Sequence, residues 1–303
     1  MRRLSVLDQV KRDRVYLLLL VPALIHYIMF RYAPMFGVAV SFMDFNLFKG
    51  FWGSPWVGFK HFEAFFTNPN SWNVVRNNLI LGLYKLIFTF PAPIILAILF
   101  HEMRWKKYRR FVQSVSYLPY FLSTVVVSSL LIMLLSPSTG FVNKALISFG
   151  YEPIYFLQKA EWFRTIFIAS DIWVGAGYGT IIFLAAMAAI DPQLYEAARM
   201  DGAGRWKQTI HVTLPGIMPA IVIMFIMSIG SVLEIDFVKA FLLGNPANMD
   251  TADIVSTYVY RLGILGGSFS QASAVDISMA VFSLLLVYTT NRICRRLGDT
   301  SLW

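Results

Sequence analysis

Six long apolar runs decide what this chain can fold into. They fall at roughly 15–43, 76–101, 111–136, 162–190, 216–244 and 274–291, and each reaches the length of about 18 residues at which an apolar segment can cross a bilayer as a helix. No water reaches the hydrocarbon core, so every backbone N–H and C=O there must be satisfied within the protein, and a run of this kind becomes a helix. With 57% hydrophobic residues, 14% charged residues and a mean hydropathy of +0.60, the chain is too apolar for a soluble domain. The prediction is an all-α integral membrane protein, one transmembrane domain over 1–303 with six spans, and no low-complexity tract or separate soluble domain.

An even number of spans puts both termini on one side, and the basic residues choose it. The formal net charge is +9, which could suggest nucleic acid, but its placement reads as membrane orientation. Sixteen of the 26 Lys and Arg lie in the segment 1–14, the HEMRWKKYRR connection between the second and third runs, the island 191–215 and the C-terminal tail. The opposite connections hold only Lys49, Lys60, Lys144, Lys159 and Arg261. Lys and Arg concentrate in cytoplasmic loops, so both termini and the island are expected in the cytoplasm of a bacterial cell, with the chain multi-pass in its cytoplasmic membrane. Trp52, Trp56 and Trp72 suit a membrane–water interface on the other side. Pro91 and Pro93 should kink the second span, and Gly175, Gly177 and Gly179 should let a neighbouring helix approach the fourth closely.

Ionisable residues inside the spans are costly and face protein or water. Lys85, Asp171, Glu234, Asp236, Lys239 and Asp276 fall within or at the edge of predicted spans, in what should be the outer half of the bilayer. Two readings stand side by side: they pair with one another, Asp236 with Lys239 on one face and Lys85 with Asp171 across helices, or they line a polar vestibule. On the second reading Tyr84, Lys85, Asp171, Trp173, Tyr178, Glu234, Asp236 and Lys239 are candidates for a substrate pathway, the aromatics offering faces on which a sugar ring could stack.

Catalytic chemistry has little to rest on. The four histidines, His26, His61, His101 and His211, show no metal-ligand spacing, so no metal site is expected. There is no Gly-x-Ser-x-Gly elbow and no Gly-rich phosphate loop, and the single cysteine, Cys294, allows no internal disulfide. Uphill transport would therefore draw on an ion gradient or on a separate ATPase.

The polar island DPQLYEAARMDGAGRWKQTIHVTLP, 191–215, favours the ATPase. Asp191 is a good N-cap and Pro192 fits the first helical position. Leu194, Tyr195, Ala198 and Met200 can form a modest apolar face, and Gly202 and Gly204 can end a helix with positive φ. Glu196-Ala197-Ala198, three residues, Gly202, nine residues, then Val212-Thr213-Leu214-Pro215 resembles the EAA motif of permease subunits in binding-protein-dependent ABC importers, with Val212 where the family usually has Ile. Similarity extends over nearly the whole chain to the MalF-like sugar permeases. It is closer still to the LplB-type branch for oligo- and polysaccharides, through RYAPMFGVAVSF, RNNLILGLYKLIFTFPAPIILAI, QSVSYLPYFLST, STYVYRLGI and the terminal SLW.

The resemblance implies the type I importer permease fold and a coupling helix seated in a cytoplasmic ATPase, carried by Leu194, Tyr195, Glu196, Ala197, Ala198, Asp201, Gly202, Leu214 and Pro215. It also implies a second homologous permease subunit, two ATPase subunits that hold ATP and Mg, and an extracytoplasmic solute-binding protein that delivers an oligosaccharide; this chain itself would bind no cofactor and be no enzyme. The alternative is a secondary transporter or channel driven by an ion gradient, which would have no use for an EAA helix.

Overall fold

A computed structural model describes residues 13–297. Arg2, Arg3, Lys11 and Arg12 of the basic N-terminal segment and the SLW terminus lie outside the described residues, as do the side chains of Cys294, Arg296 and Leu297. The described residues form helices joined by turns and loops, with no strand among them beyond one isolated antiparallel bridge between Met43 and Trp56. Five helices are long and apolar enough to cross a membrane, or six if one sharply bent pair counts as a single span.

By density of contacts the chain falls into two compact units, Met1–Thr67 with Arg261–Ile277, and Asn68–Tyr260 with Ser278–Trp303. The first contains α1, Arg14–Phe42, which is exposed from residue 14 to 38, an apolar surface of the kind that meets lipid or another protein. The chain then turns through the Met43–Trp56 bridge into α2, Lys60–Thr67. Phe42 packs edge-on against Phe59 at 5.4 Å and tilted against Phe62 at 5.1 Å. Asp44 is gripped by Lys60 at 2.7 Å and by His61 at 2.9 Å.

The second unit is built from α3, Pro69–Glu102, the pair α4, Lys106–Phe121, and α5, Thr124–Leu134, the short α6, Phe141–Ser148, then α7, Ala160–Ala188. After these come α8, Pro192–Met200, α9, Arg205–Gly230, α10, Phe237–Leu243, and α11, Val255–Tyr260. The last helix, α12, Phe269–Leu297, starts in the first unit and runs on in the second.

α7 is the axis of the second unit, the most buried of the candidate spans. One apolar cluster joins its Phe163, Phe167 and Ile168 to Leu81 of α3 and to Ala240 and Leu243 of α10; another joins Phe183 and Met187 to Ile94 and Ala97 of α3 and Ile217 of α9. Small residues set the approach. A Cβ on Gly177 would sit 1.9 Å from the Ser116 carbonyl oxygen, and one on Gly179 would sit 2.9 Å from Pro93. Gly175, grouped with them on sequence grounds, faces open space instead.

Three π-helical turns, Ile28–Tyr32, Lys85–Thr89 and Thr209–Thr213, each end two residues before a proline, Pro34, Pro91 and Pro215. Proline has no N–H and its ring crowds the carbonyl four residues back. Widening the preceding turn, so that the Phe90 N–H reaches the Lys85 oxygen at 2.9 Å, passes the ring without breaking the helix.

Two spans differ from the hydropathy reading. The run 111–136 is not one rod: α4 and α5 meet at 99°, because Pro119 lacks a donor and the Ser123 hydroxyl caps a fresh helix through the Val126 N–H. The run 216–244 is not one span either. Its helix begins earlier, at Arg205, and stops at Gly230; a helix-free stretch follows, and α10 then starts with the Asp236 carboxylate as its N-cap.

Candidate functional site

Two places gather the residues singled out by the sequence: the segment 191–215 and the break between α9 and α10.

The Asp191 carboxylate accepts the Gln193 N–H at 2.9 Å and Pro192 opens α8. At its other end Gly202 takes φ +73, which lets the Ala203 N–H reach the Ala198 oxygen at 2.8 Å and the Gly202 N–H reach Arg199 at 3.1 Å, the paired bonds of a Schellman cap. Gly204, expected to share this role, has φ −66 and simply precedes α9. None of α8 is buried. Tyr195 and Ala198 are half-buried and turn inward, while Glu196, Ala197, Leu194 and Met200 are exposed, so the expected apolar face is split between the two sides. Asp201 and Gly202 lie on the exposed turn. Leu214 and Pro215 do not start the following span but sit ten residues inside α9, just past its π turn.

Tyr195, singled out by the sequence, and side chains that sequence reasoning passed over hold this segment. The Tyr195 hydroxyl lies 3.0 Å from that of buried Thr213 and its ring 6.1 Å from that of His101. Arg205 reaches Glu102 at the end of α3, 3.6 Å from its carboxylate and 3.3 Å from its carbonyl. Trp206 is 75% and Met200 88% exposed; a tryptophan left in solvent among polar residues was the one available signal. α8 thus rests through Tyr195 on the end of α3 and on the body of α9 and presents a small acidic and apolar surface.

At the break, the chain from Ser231 to Asp236 leaves helical carbonyls without intrahelical donors, a costly state away from water. One face of α3 supplies what is missing. Asn78, Gly82 and Lys85 stand at helical spacing: the Asn78 amide donates to the Leu233 oxygen at 2.8 Å, Lys85 Nζ donates to the Glu234 oxygen at 3.3 Å, and Gly82 admits the Val232 carbonyl so closely that a Cβ would lie 2.5 Å from it. Neighbouring Asn77 donates to the Asp250 and Asp253 oxygens and accepts from Arg164 at 2.9 Å.

The expected charge pairs form differently. Asp171 pairs with Lys239, not Lys85. The Lys239 side chain is 4% exposed and also donates to the Phe167 oxygen at 3.1 Å and to Ser170 Oγ at 3.0 Å, with its ammonium 4.0 Å from the Phe167 ring centroid. Asp236 does not pair with the Lys239 ammonium; it caps α10 by accepting the Lys239 backbone N–H at 2.9 Å, and accepts the Thr124 hydroxyl at 3.2 Å. The Glu234 side chain is exposed. Tyr84 packs against the apolar cluster around Phe167. Tyr178 stacks flat on Tyr120, centroids 3.9 Å apart, and Trp173 is 49% exposed. Between α3, α7 and α9 lies a cavity of about 210 Å³ lined by Lys85, Thr89, Phe90, Phe183, Ser228 and Ser231, among others. Among the described residues no group of three or more His, Cys, Asp or Glu is placed to hold a metal.

Residues 90–299 match the family described as binding-protein-dependent transport system inner membrane component. Protein LplB of Bacillus subtilis (strain 168) is 41% identical over 300 residues, covering 99% of this chain and 94% of that one. The polygalacturonan/rhamnogalacturonan transport system permease protein YteP of the same strain is 42% identical over 302 residues, covering 100% and 94%. Among solved structures, a chain of a bacterial alginate ABC transporter, crystallised with an alginate pentasaccharide-bound periplasmic protein, superposes with a TM-score of 0.90 at 39% identity over 98% of this chain and 99% of that one.

Proposed function

Since this chain belongs to the family of binding-protein-dependent transport system inner membrane components, and its relatives with assigned cargo handle saccharides, we propose that it is the permease subunit of an ABC importer for an oligosaccharide. An extracytoplasmic solute-binding protein hands over the sugar, and a second homologous permease completes the path. Two cytoplasmic ATPase subunits bind and hydrolyse ATP with Mg, and this chain catalyses nothing itself. Both termini and the segment 191–215 face the cytoplasm, with the chain multi-pass in a bacterial cytoplasmic membrane.

The observation that carries the reading is the geometry of α8. It is a doubly capped helix with no buried residue, and its Tyr195 ties it to Thr213 inside α9 and to His101 at the end of α3. Leu194 and Met200 of α8 and Trp206 at the start of α9 are exposed; seated on an ATPase, they and Glu196 supply the contact. Closure of the ATPase dimer would then push through Tyr195 and Arg205 on α9 and α3, the helices that frame the break and the cavity.

The experiment is Gly202→Val in the assembled complex. A β-branched residue at φ +73 costs about 1–2 kcal/mol, enough to unwind the Schellman turn while leaving the spans in place. The complex should still assemble and bind its loaded binding protein but lose substrate-stimulated ATP hydrolysis. Stimulation at the native level would refute the docking role. Import driven by an ion gradient, with no ATP consumed, would favour a secondary carrier instead.

A further inference from the structure

The cavity between α3, α7 and α9 has a chemistry of its own. Its walls are mainly apolar, from Leu86, Phe90, Ile182 and Phe183, but Lys85 and the residues Thr89, Ser228 and Ser231 also line it. At about 210 Å³ it is smaller than the roughly 300–1,000 Å³ of pockets for drug-sized molecules, a size for one ring and not for a chain of them. Lys85 is the one ionisable residue in the lining. The carboxylates in its neighbourhood are engaged elsewhere or turned away: Asp171 by Lys239, Asp236 by Thr124 and the start of α10, with Glu234 exposed and outside the lining. Of the three donors an ammonium carries, Lys85 gives one, to the Glu234 carbonyl, at a long 3.3 Å. The Thr89 hydroxyl oxygen is buried and has no partner, although buried polar atoms are as a rule bonded.

A cation with spare donors, an unmet hydroxyl, two further serines and aromatic walls, all in a space for one ring, complement a pyranose that bears a carboxylate. Apolar walls take the C–H faces of the sugar, hydroxyls meet hydroxyls, and the ammonium meets the acid. We infer that this cavity is a subsite for a single uronic acid residue of the transported saccharide, with Lys85 receiving its carboxylate and Thr89 a ring hydroxyl. The inference rests on the reading of the chain as an oligosaccharide permease and names the class of its cargo as acidic.

The test uses the whole importer in proteoliposomes, with its partner permease, ATPase subunits and binding protein. Uptake of galacturonate and mannuronate trisaccharides is compared with uptake of the same trisaccharides after reduction of their carboxyl groups. Any preference of the binding protein is common to native and variant complexes and cancels in their ratio. Lys85→Gln keeps a donor for the Glu234 carbonyl but removes the charge; it should lower the preference for the acidic over the reduced sugar by about 10- to 100-fold, the range of a lost hydrogen bond to a charged group, and Lys85→Arg should restore most of it. An unchanged preference in Lys85→Gln overturns the inference, as does a native complex that imports only the reduced sugars; in both cases the oligosaccharide reading stands. A native complex that imports no saccharide at all, acidic or neutral, overturns that reading itself. Should Lys85→Gln fail to assemble, Thr89→Val decides: half-saturation for the uronate trisaccharide should rise about 2- to 10-fold, and no rise overturns the inference.

Discussion

Removing Asp171 should harm this protein more than removing Lys239, although the two form one ion pair. The asymmetry follows from burial: the Lys239 side chain is 4% exposed and that of Asp171 23%. Asp171→Ala leaves an ammonium enclosed with the Phe167 carbonyl, the Ser170 hydroxyl and the face of Phe167. Stranding one member of a buried pair costs about 3–5 kcal/mol, and the three remaining contacts hold the loss near the lower figure, about 3 kcal/mol. Lys239→Met leaves a carboxylate with some access to water and fills most of the vacated space, so its cost is that of one poorly satisfied polar group, about 1–2 kcal/mol. The double variant Asp171→Leu with Lys239→Met buries no charge and should recover most of the stability, as apolar replacements of buried pairs do. Thermal unfolding of the purified complex, followed by intrinsic fluorescence, reads the difference. At about 2–4 °C per kcal/mol for large domains, Asp171→Ala should lower the midpoint by about 6–12 °C and Lys239→Met by about 2–8 °C. A double variant less stable than Asp171→Ala, or equal losses from the two single changes, would refute the argument.

Two further changes test the packing and the first unit. Gly177→Ala, whose Cβ would fall 1.9 Å from the Ser116 carbonyl oxygen, should cost at least about 1–3 kcal/mol by overpacking, whereas Gly175→Ala, facing open space, should be neutral or stabilise by up to about 1 kcal/mol through helix propensity; equal midpoints for the two would contradict the assigned contact. The hydrogen bond from Lys60, aided by the charges of Lys60 and His61, holds the Asp44 carboxyl below the usual carboxylate range. A carboxylate so depressed stabilises the fold at pH values above its unfolded pKa, and that contribution is lost as pH falls through the lower, folded one. Hydrogen exchange in 43–67 should therefore stay slow through mildly acid pH and quicken only below the ordinary carboxylate range, and Asp44→Asn should abolish that step.

What the sequence conveyed well was whatever acts locally. The caps of α8 follow from Asp191, Pro192 and Gly202 because a cap is settled within four or five residues, and the spans follow from hydropathy because lipid imposes the same demand on every residue of a run. Gly204 misled because its neighbour already ended the helix, and one positive φ is enough. The fifth run misled for a deeper reason. Ser231–Val232–Leu233–Glu234–Ile235 continues the apolar pattern almost unbroken, so hydropathy sees one span, while the break depends on whether donors exist elsewhere for the carbonyls it frees. Those donors, Asn78 and Lys85, lie some 150 residues away on α3. Likewise Lys239 could not be matched to Asp171 on sequence grounds, since its apparent neighbour Asp236 is occupied with the backbone N–H of Lys239 itself.

The break also explains why ionisable residues gather where they do. A helix interrupted away from water needs donors for its freed carbonyls, a cap for the helix that resumes, and room for its backbone to approach a neighbour. Asn78 and Lys85 provide the first, Asp236 the second and Gly82 the third. Several residues that the sequence suggests for a sugar pathway thus have structural work in this conformation, and the two readings, pairing or pathway, divide by residue. Asp171, Lys239 and Asp236 are committed: Asp171 is held by the enclosed Lys239, Lys239 by Asp171, Phe167 and Ser170, and Asp236 by Thr124 and the Lys239 backbone N–H, so releasing any of them strands a buried charge or uncaps α10. Lys85 is held by one long bond at the rim of a cavity, and letting go of a single carbonyl is a smaller loss than breaking an ion pair. Of the charged residues around the break that line the cavity, it alone can exchange its partner for a ligand without dismantling the break that positions it, and so the same helix face can brace the interruption and meet an acidic sugar.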